Sequence, residues 1–182
     1  AFLFGSVIGS FLNVCIYRMP RKESIVFPAS HCPKCDKKIK PYDNIPIISY
    51  IFLKGRCRGC GKRISLQYPF VEFLNAAGYA FIIYKFGPNI NSLIYALFYS
   101  SLIVVTFIDL EHQIIPDRIT LPGIVMGFAL GATVLPVGWL NSLIGLFLGG
   151  GLFYLVAVLS RGGMGGGDIK LIAMIGAFLG WQ

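Results

Sequence analysis

Acidic side chains are scarce in this sequence, which has eight Asp and Glu among 182 residues, against sixteen Lys and Arg and two His. Charged residues make up only 13% of the chain, whereas hydrophobic residues make up 55% and the mean hydropathy is +0.71. Because a soluble domain carries about a quarter charged residues, this composition excludes an ordinary soluble protein. The sequence therefore predicts a polytopic membrane protein, in which an acidic residue close to a hydrophobic span is a functional candidate.

Apolar segments predict an all-α fold with about six membrane helices. They cover residues 1–17, 69–84, 92–108, 119–137 and 139–159, and a sixth segment begins at Ile169. At about 1.5 Å per residue, segments of this length cross a hydrocarbon core of about 30 Å. The chain opens and closes inside apolar runs without an initiator Met, so we expect both ends to be truncated.

Glycines within these spans predict close helix packing. Gly5 and Gly9 lie four residues apart on one face of the first span, where they allow another helix to approach. Residues 149–151 are three consecutive glycines inside the fifth span, and we interpret them as a packing notch and not as a nucleotide-binding loop.

Basic residues cluster in one polar loop, because twelve of the sixteen Lys and Arg lie within residues 18–63. A basic loop between membrane helices is typical of the cytoplasmic side, and this explanation is favoured over a nucleic-acid surface. We therefore expect a lipid bilayer as a partner and no nucleic acid. Counting spans from this loop predicts that Asp109, Asp117 and Asp168 all lie on the cytoplasmic side.

Four cysteines of the basic loop form two matched pairs, Cys32-Pro-Lys-Cys35 and Cys57-Arg-Gly-Cys60. Four thiolates in two C-x2-C pairs suit the tetrahedral coordination of zinc, and the surrounding Lys and Arg favour the thiolate form. Idle thiols or a redox pair are the alternatives. A closed four-sulfur site leaves no open coordination position, so the predicted zinc is structural.

Asp109 and Asp168 are the predicted catalytic pair. Two carboxylates within hydrogen-bond reach share one proton, so that one activates water while the other polarises a scissile carbonyl. This chemistry needs neither a nucleophilic Ser nor a catalytic His, and neither is evident in the sequence. Helix dipoles favour the anion of Asp168, ahead of the sixth helix, and disfavour that of Asp109, at the end of the third. This predicts Asp168 as the base and Asp109 as the acid.

An ordinary structural explanation of both aspartates stays open. Asp109 would then pair with Lys170 or Arg118 at a helix end. Asp168 would cap the N-terminus of the sixth helix.

The glycine run at residues 162–167 is predicted to be non-helical, because each glycine loses much conformational entropy when it is ordered. Gly165 and Gly167 are predicted to leave room for the backbone of an extended peptide substrate. Asp117, in the turn after the third helix, is predicted to support the site.

Seven short motifs occur in order over nearly the whole chain. They are Gly9-Ser-Phe-Leu-Asn-Val14 with Arg18 and Pro20, Cys32-Pro-Lys-Cys35, Asp43-Asn-Ile-Pro46, Cys57-Arg-Gly-Cys60, Tyr68-Pro-Phe-Val-Glu72, Asp109 through Pro116-Asp117, and Gly165-Gly-Gly-Asp168. This set resembles the bacterial type IV prepilin peptidases, which are bifunctional leader peptidases and N-methyltransferases. The resemblance implies a GxGD-type membrane aspartic protease with Asp109 and Asp168 at its catalytic positions.

The resemblance also implies a substrate, a cofactor and a location. The enzyme would remove the basic leader of type IV prepilins and pseudopilins, after Gly and before a residue that is often Phe. It would then methylate the new N-terminal amine with S-adenosyl-L-methionine. It would act at the cytoplasmic face of the bacterial inner membrane, in type IV pilus assembly and type II secretion.

Three regions follow from the resemblance. Residues 1–17 would be the first transmembrane helix, 18–67 a cytoplasmic zinc-binding module linked to methyl transfer, and 68–182 the peptidase domain. The sequence has no strand–GxGxxG–helix unit, so a Rossmann cofactor site is not supported. The candidates for binding the cofactor or the substrate amine are Asn13, Asp43 and Glu72, for which structural roles are the alternative.

Two other functions stay open. A transporter or channel subunit would use the intramembrane carboxylates to carry protons or cations. A family member with a single activity would cut without methylating, or methylate without cutting.

Overall fold

A computed structural model describes residues 1–160 and 165–181, and these residues form seven α-helices and no named strand. The helices are α1 (Phe2–Arg18), α2 (Ile48–Phe52), α3 (Gln67–Phe86), α4 (Ile90–His112), α5 (Asp117–Thr133), α6 (Trp139–Leu159) and α7 (Gly166–Leu179), and a 3-10 turn covers Pro41–Asn44. The six predicted spans correspond to α1 and to α3 through α7. The predicted all-α fold class is therefore confirmed.

Several helix ends differ from the predicted spans. The third predicted span stops at residue 108, whereas α4 continues to His112, so Asp109 lies inside its last turn. The sixth was predicted to start at Ile169, whereas α7 starts at Gly166. Apolar residues mark only the part of a helix that lipid or protein covers, and the hydrogen-bonded backbone extends beyond it into polar residues.

Two of the described helices, α4 and α6, are long and apolar enough to cross a membrane by their length and composition. Only 11% of the most apolar stretch of α6 is buried inside the protein. Large apolar side chains such as Leu3, Phe81 and Leu152 are exposed along other parts of the surface. Together with the composition, this uncovered apolar surface identifies a membrane protein.

The chain forms two compact units, Ala1–Glu111 and His112–Gln182. In the first, α1 packs on α3 at glycines. A Cβ atom on Gly5 would lie 2.8 Å from the Ala76 Cα, and one on Gly9 would lie 2.7 Å from the Glu72 Cα. The predicted packing role of both glycines is confirmed.

Buried polar side chains join α1, α3 and α4. The Asn75 amide donates to the Gly5 carbonyl at 2.7 Å and accepts from the Ser100 hydroxyl at 2.9 Å. Tyr79 and Ser100 share a further hydrogen bond of 3.1 Å. Such bonds hold helices together where hydrocarbon surrounds them and no water competes.

The second unit packs α7 against α5 and α6. Gly145 lies against Gly176 so closely that a Cβ atom on either would overlap the other's carbonyl group. Across the same contact the Ser142 hydroxyl donates to the Ala177 carbonyl at 2.6 Å.

The predicted glycine notch at residues 149–151 is confirmed in part. A Cβ atom on Gly149 would lie 3.0 Å from Ile172, and one on Gly150 would lie 3.0 Å from Ala173. Gly151 has open space around it.

Gly145→Ala is expected to destabilise the protein, because the added methyl group meets backbone and cannot be accommodated by a side-chain rotation. Overpacking of this kind costs about 1–3 kcal/mol. Gly151→Ala is the matched control on the same helix, where the methyl group meets nothing. Thermal unfolding in detergent should show a lower midpoint for Gly145→Ala alone, and equal midpoints for the two variants would contradict the packing.

Candidate functional site

The two cysteine pairs fold into two copies of one knuckle. In the first, the Cys32 N–H donates to the Lys37 carbonyl at 3.0 Å, and in the second the Cys57 N–H donates to the Lys62 carbonyl at 2.9 Å. The residue after each pair has a positive φ, 59° at Asp36 and 69° at Gly61. An isolated β-bridge closes each copy, His31 with Lys38 in the first and Arg56 with Arg63 in the second.

The knuckles bring all four cysteines together. The four Sγ atoms all lie within 4.8 Å of one another, so the cluster can hold a metal ion. They belong to Cys32, Cys35, Cys57 and Cys60. The surrounding module has almost no apolar core: among its residues, 19–66, Cys32 is the one hydrophobic residue that is buried. A module of this size without a core needs a covalent or metal link to be stable.

The pKa values of the cysteine thiols are also consistent with a bound cation. Backbone N–H groups of Cys60 and Gly59 lower the pKa of Cys57 to about 7. At Cys35 a backbone N–H from Lys37 favours the thiolate, but burial and the other three thiols together raise the pKa to about 11. Neighbouring thiolates repel one another, and a bound cation removes that repulsion.

An ion pair joins Asp43 to the second knuckle. Arg58, inside the Cys57–Cys60 pair, donates to both carboxylate oxygens of Asp43 at 2.8–3.1 Å. The hydrogen bonds from Arg58 lower the pKa of the Asp43 carboxyl. The carboxylate is therefore ionised and is already occupied in orienting the module.

A cavity of about 590 Å³ lies in the first unit, between the module and the ends of α1 and α3. The three predicted cofactor-binding residues, Asn13, Asp43 and Glu72, all line it. The Asn13 amide donates to the Tyr68 carbonyl at 3.0 Å. The structure thus brings residues that are far apart in sequence to one cavity, and their role there stays a prediction.

A strained turn beside this cavity was missed from the sequence. Ile47 has φ +62° and ψ −52°, and the Ile48 N–H donates to the Pro46 carbonyl at 2.5 Å, which closes a γ-turn. The Ile47 N–H donates to the Glu72 carboxylate at 2.7 Å. No sequence signal marks this turn, because a β-branched residue is the type least expected at positive φ.

Each unit contributes one of the two predicted catalytic aspartates. Asp109 is exposed in the last turn of α4, in the first unit. Asp168 is half-buried in the first turn of α7, in the second unit. The alternative that Asp168 caps this helix is wrong, because the N-cap residue is Gly165 and α7 begins with Gly166.

The glycines before Asp168 were expected to be non-helical, and for Gly166 and Gly167 this expectation is wrong. The first turn of a helix tolerates glycine because tertiary contacts outweigh its low propensity. A Cβ atom on Gly167 would lie 2.8 Å from the Ile115 Cβ, whereas one on Gly166 would meet nothing. The predictions for residues 162–164 fall outside the described residues.

Asp117 and Lys170 tie the start of α5 to the start of α7. The Lys170 ammonium lies 2.7 Å from an Asp117 carboxylate oxygen. Both side chains are well exposed, so the pair contributes little stability and mainly orients the first turn of α7. Lys170, which was one of the two candidate partners of Asp109, thus has a carboxylate partner at Asp117.

These features define a class, the helical membrane proteins that carry a four-cysteine module able to hold a metal and carboxylates at helix ends. Residues 3–86 match the bacterial peptidase A24 N-terminal domain, and residues 96–182 match the type IV leader peptidase family. The chain belongs to this peptidase family, as the sequence motifs predicted.

Similar proteins support the same assignment along the whole chain. A Myxococcus xanthus protein named prepilin leader peptidase/N-methyltransferase is 39% identical, and the alignment covers 100% of this chain and 56% of that protein. A protein of the same name from Aeromonas salmonicida is 35% identical, and the alignment covers 100% of this chain and 72% of that protein. One from Bacillus subtilis is 38% identical, and the alignment covers 98% of this chain and 72% of that protein. No solved structure is significantly similar to this chain. The prediction of an enzyme of this family is therefore confirmed.

Cys32→Ser and Cys57→Ser are expected to lose bound metal to the same degree, because the two knuckles are equivalent. Elemental analysis of the purified protein should give one metal ion per chain for the wild type and much less for either variant. Cys15→Ser, on α1 and outside the cluster, is the control and should keep the metal. A wild-type protein that binds no metal after purification without chelators would contradict the site.

Proposed function

We propose that this protein is a membrane aspartic endopeptidase that removes the basic leader of type IV prepilins and pseudopilins, and that it then methylates the new N-terminus. The proposal rests on one observation above all: both halves of the chain match, in order, the two parts of the leader peptidase family. The relatives in Myxococcus, Aeromonas and Bacillus carry the name of this bifunctional enzyme.

In the proposed reaction, Asp109 and Asp168 share one proton across the scissile peptide. The N-terminal dipole of α7 favours the anion at Asp168, which takes a proton from the attacking water. Asp109, in the last turn of α4, then donates a hydrogen bond to the carbonyl oxygen of the substrate. The water oxygen bonds to the carbonyl carbon, the C–N bond of the scissile peptide breaks, and the proton taken up by Asp168 passes to the leaving nitrogen. The products are a free leader with a new carboxylate and a pilin with a new α-amine.

Supporting residues keep Asp168 in position. Gly167 lets the start of α7 approach Ile115, and the Asp117–Lys170 pair holds the same turn from α5. A Cβ atom on Gly165, which precedes the helix, would lie 3.2 Å from an Asp168 carboxylate oxygen, so the glycine leaves that carboxylate uncovered for an extended peptide. A substrate cut after Gly fits this arrangement, because a glycine at the cleavage site is unhindered.

The cysteine module supplies structure in this proposal and no step of the cleavage. Cys32, Cys35, Cys57 and Cys60 would hold a zinc ion, for which four thiolates are a preferred ligand set. S-adenosyl-L-methionine would supply the methyl group. The cavity lined by Asn13, Asp43 and Glu72 is the proposed place for this methyl donor or for the substrate amine.

The proposed location is the bacterial inner membrane, with the module and both aspartates at the cytoplasmic face. The concentration of Lys and Arg in the loop between α1 and α3 supports this orientation. The proposed regions are 1–17 as a first transmembrane helix, 18–67 as the module and 68–182 as the peptidase domain. Prepilin and lipid are the proposed partners, and nucleic acid is not.

Asp109→Asn and Asp168→Asn are each expected to abolish leader release, because the amide neither takes up nor shares the catalytic proton. The assay incubates purified protein with a prepilin and measures leader release by mass. Glu23→Gln, which removes an exposed carboxylate from the module, is the control and should cleave normally. With S-adenosyl-L-methionine present, the wild-type product should gain the mass of one methyl group.

Substantial cleavage by either aspartate variant would refute the catalytic pair. The pH profile of leader cleavage should show two ionisations when the chemical step limits the rate. A profile without them would refute the shared proton. Ion flux without a peptide product would instead favour the transporter.

Gly167→Ala is expected to reduce leader cleavage about tenfold or more, because its methyl group meets the β-branched side chain of Ile115 and displaces the first turn of α7. Small displacements of a catalytic group have large effects on rate. Gly166→Ala is the matched control in the same turn, where the methyl group enters open space. Equal cleavage rates for the two variants would contradict the proposed role of Gly167.

A further inference from the structure

Among the residues that the structure describes, Glu72 differs from the other acidic residue of the cavity in having no cationic partner. Asp43 and Glu72 are the two carboxylates among the cavity-lining residues, and Asp43 is paired with Arg58. Glu72 is only 8% exposed, and no Lys, Arg or His of the described chain lies within ion-pair distance of it. A buried carboxylate without a cation is costly, so its presence in a cavity points to a ligand.

Neutral donors hold the Glu72 side chain in place. The Ile47 N–H donates to one carboxylate oxygen, Oε2, at 2.7 Å, and Ser10 on α1 lines the cavity beside Glu72. A carboxylate has about four acceptor positions, so these neutral neighbours leave room for another partner. The side chain is therefore oriented while acceptor positions stay open.

The Ile47 turn is an independent sign of function. Its positive φ is strained for a β-branched residue, and glycine at this position would adopt the same turn without strain. Strained backbone persists where the surrounding structure holds it, and it concentrates at binding and active sites. Here the strain serves to direct one N–H at Glu72.

Aromatic and basic residues complete the cavity. Tyr17, Tyr50 and Tyr68 line it together with Glu72, and aromatic faces attract organic cations. Lys and Arg of the module line the same space, so the cavity offers charges of both signs to a ligand that carries both.

We propose that Glu72 binds an organic cation of the methyl-transfer reaction, an ammonium or a sulfonium group, inside this cavity. The inference rests on the proposed methyl-transfer function and assigns the charge recognition in it to one residue. Three groups share this chemistry: the sulfonium of the methyl donor, the ammonium of its amino-acid part, and the α-ammonium of the leader-free pilin. Glu72 is a binding residue for whichever of these enters.

Glu72→Gln separates the charge from the shape, because the amide oxygen still accepts from the Ile47 N–H. The full chain in detergent is titrated with S-adenosylmethionine and with S-adenosylhomocysteine, which lacks the sulfonium charge. Methylation is then measured against a synthetic peptide that begins with the pilin Phe. Loss of a charged hydrogen bond weakens binding about tenfold to a hundredfold.

Each source of the cation gives a different result in Glu72→Gln. Weaker binding of S-adenosylmethionine alone identifies the sulfonium, and equal weakening of both nucleosides identifies the amino-acid ammonium. A raised KM for the peptide with unchanged nucleoside binding identifies the pilin amine. Glu72→Asp keeps the charge and should recover part of whichever affinity is lost, while Glu23→Gln should match the wild type.

Two outcomes overturn the inference. If Glu72→Gln matches Glu23→Gln in all three measurements, or if Glu72→Asp loses as much as Glu72→Gln, the charge of Glu72 does not bind a cation. These results leave the proposed methyl transfer intact. If the wild type itself binds neither nucleoside and transfers no methyl group, the proposed function fails and the cation site fails with it.

Discussion

Close approach of helix backbones at glycine is the constraint on which both units depend. Lipid tails are as apolar as Leu side chains, so helices in a bilayer associate through tight packing and buried hydrogen bonds. Gly9 lies directly against the Cα of Glu72. Gly167, the residue before Asp168, lies against the side chain of Ile115. The same contacts that hold the helices together therefore set the positions of two carboxylates with proposed functions.

The cysteine module is organised in a different way, since it lies outside the apolar packing of the helices. Two equivalent knuckles bring four sulfurs together, and the Arg58–Asp43 pair fixes the second knuckle to the 3-10 turn that follows the first. Just after this 3-10 turn, the Ile47 N–H donates a hydrogen bond to the Glu72 carboxylate on α3. The cavity is bounded by this path of polar contacts, which links the cysteine cluster to α3.

Some features of the site followed from the sequence because they depend on local spacing. The C-x2-C pairs predicted the sulfur cluster, and the spacing of Gly5 and Gly9 predicted the packing of α1. Other predictions failed because they used local propensity where tertiary contacts decide. Gly166 and Gly167 are helical although glycine is a poor helix former, and the N-cap of α7 is Gly165 and not Asp168. The partner of Lys170 depends on how α5 and α7 pack, which the sequence alone does not specify.

By itself, the sequence determined the membrane class, the approximate positions of the long helices, the grouping of the four cysteines and the family, because composition, periodicity and motif spacing are local properties. Only the tertiary structure decided which distant residues share a surface. It brought Asn13, Asp43 and Glu72 to one cavity, paired Asp43 with Arg58, and left Glu72 as a buried carboxylate held by a strained Ile47. These contacts join residues far apart in the chain, and their geometry depends on how helices and turns pack rather than on the residues next to them.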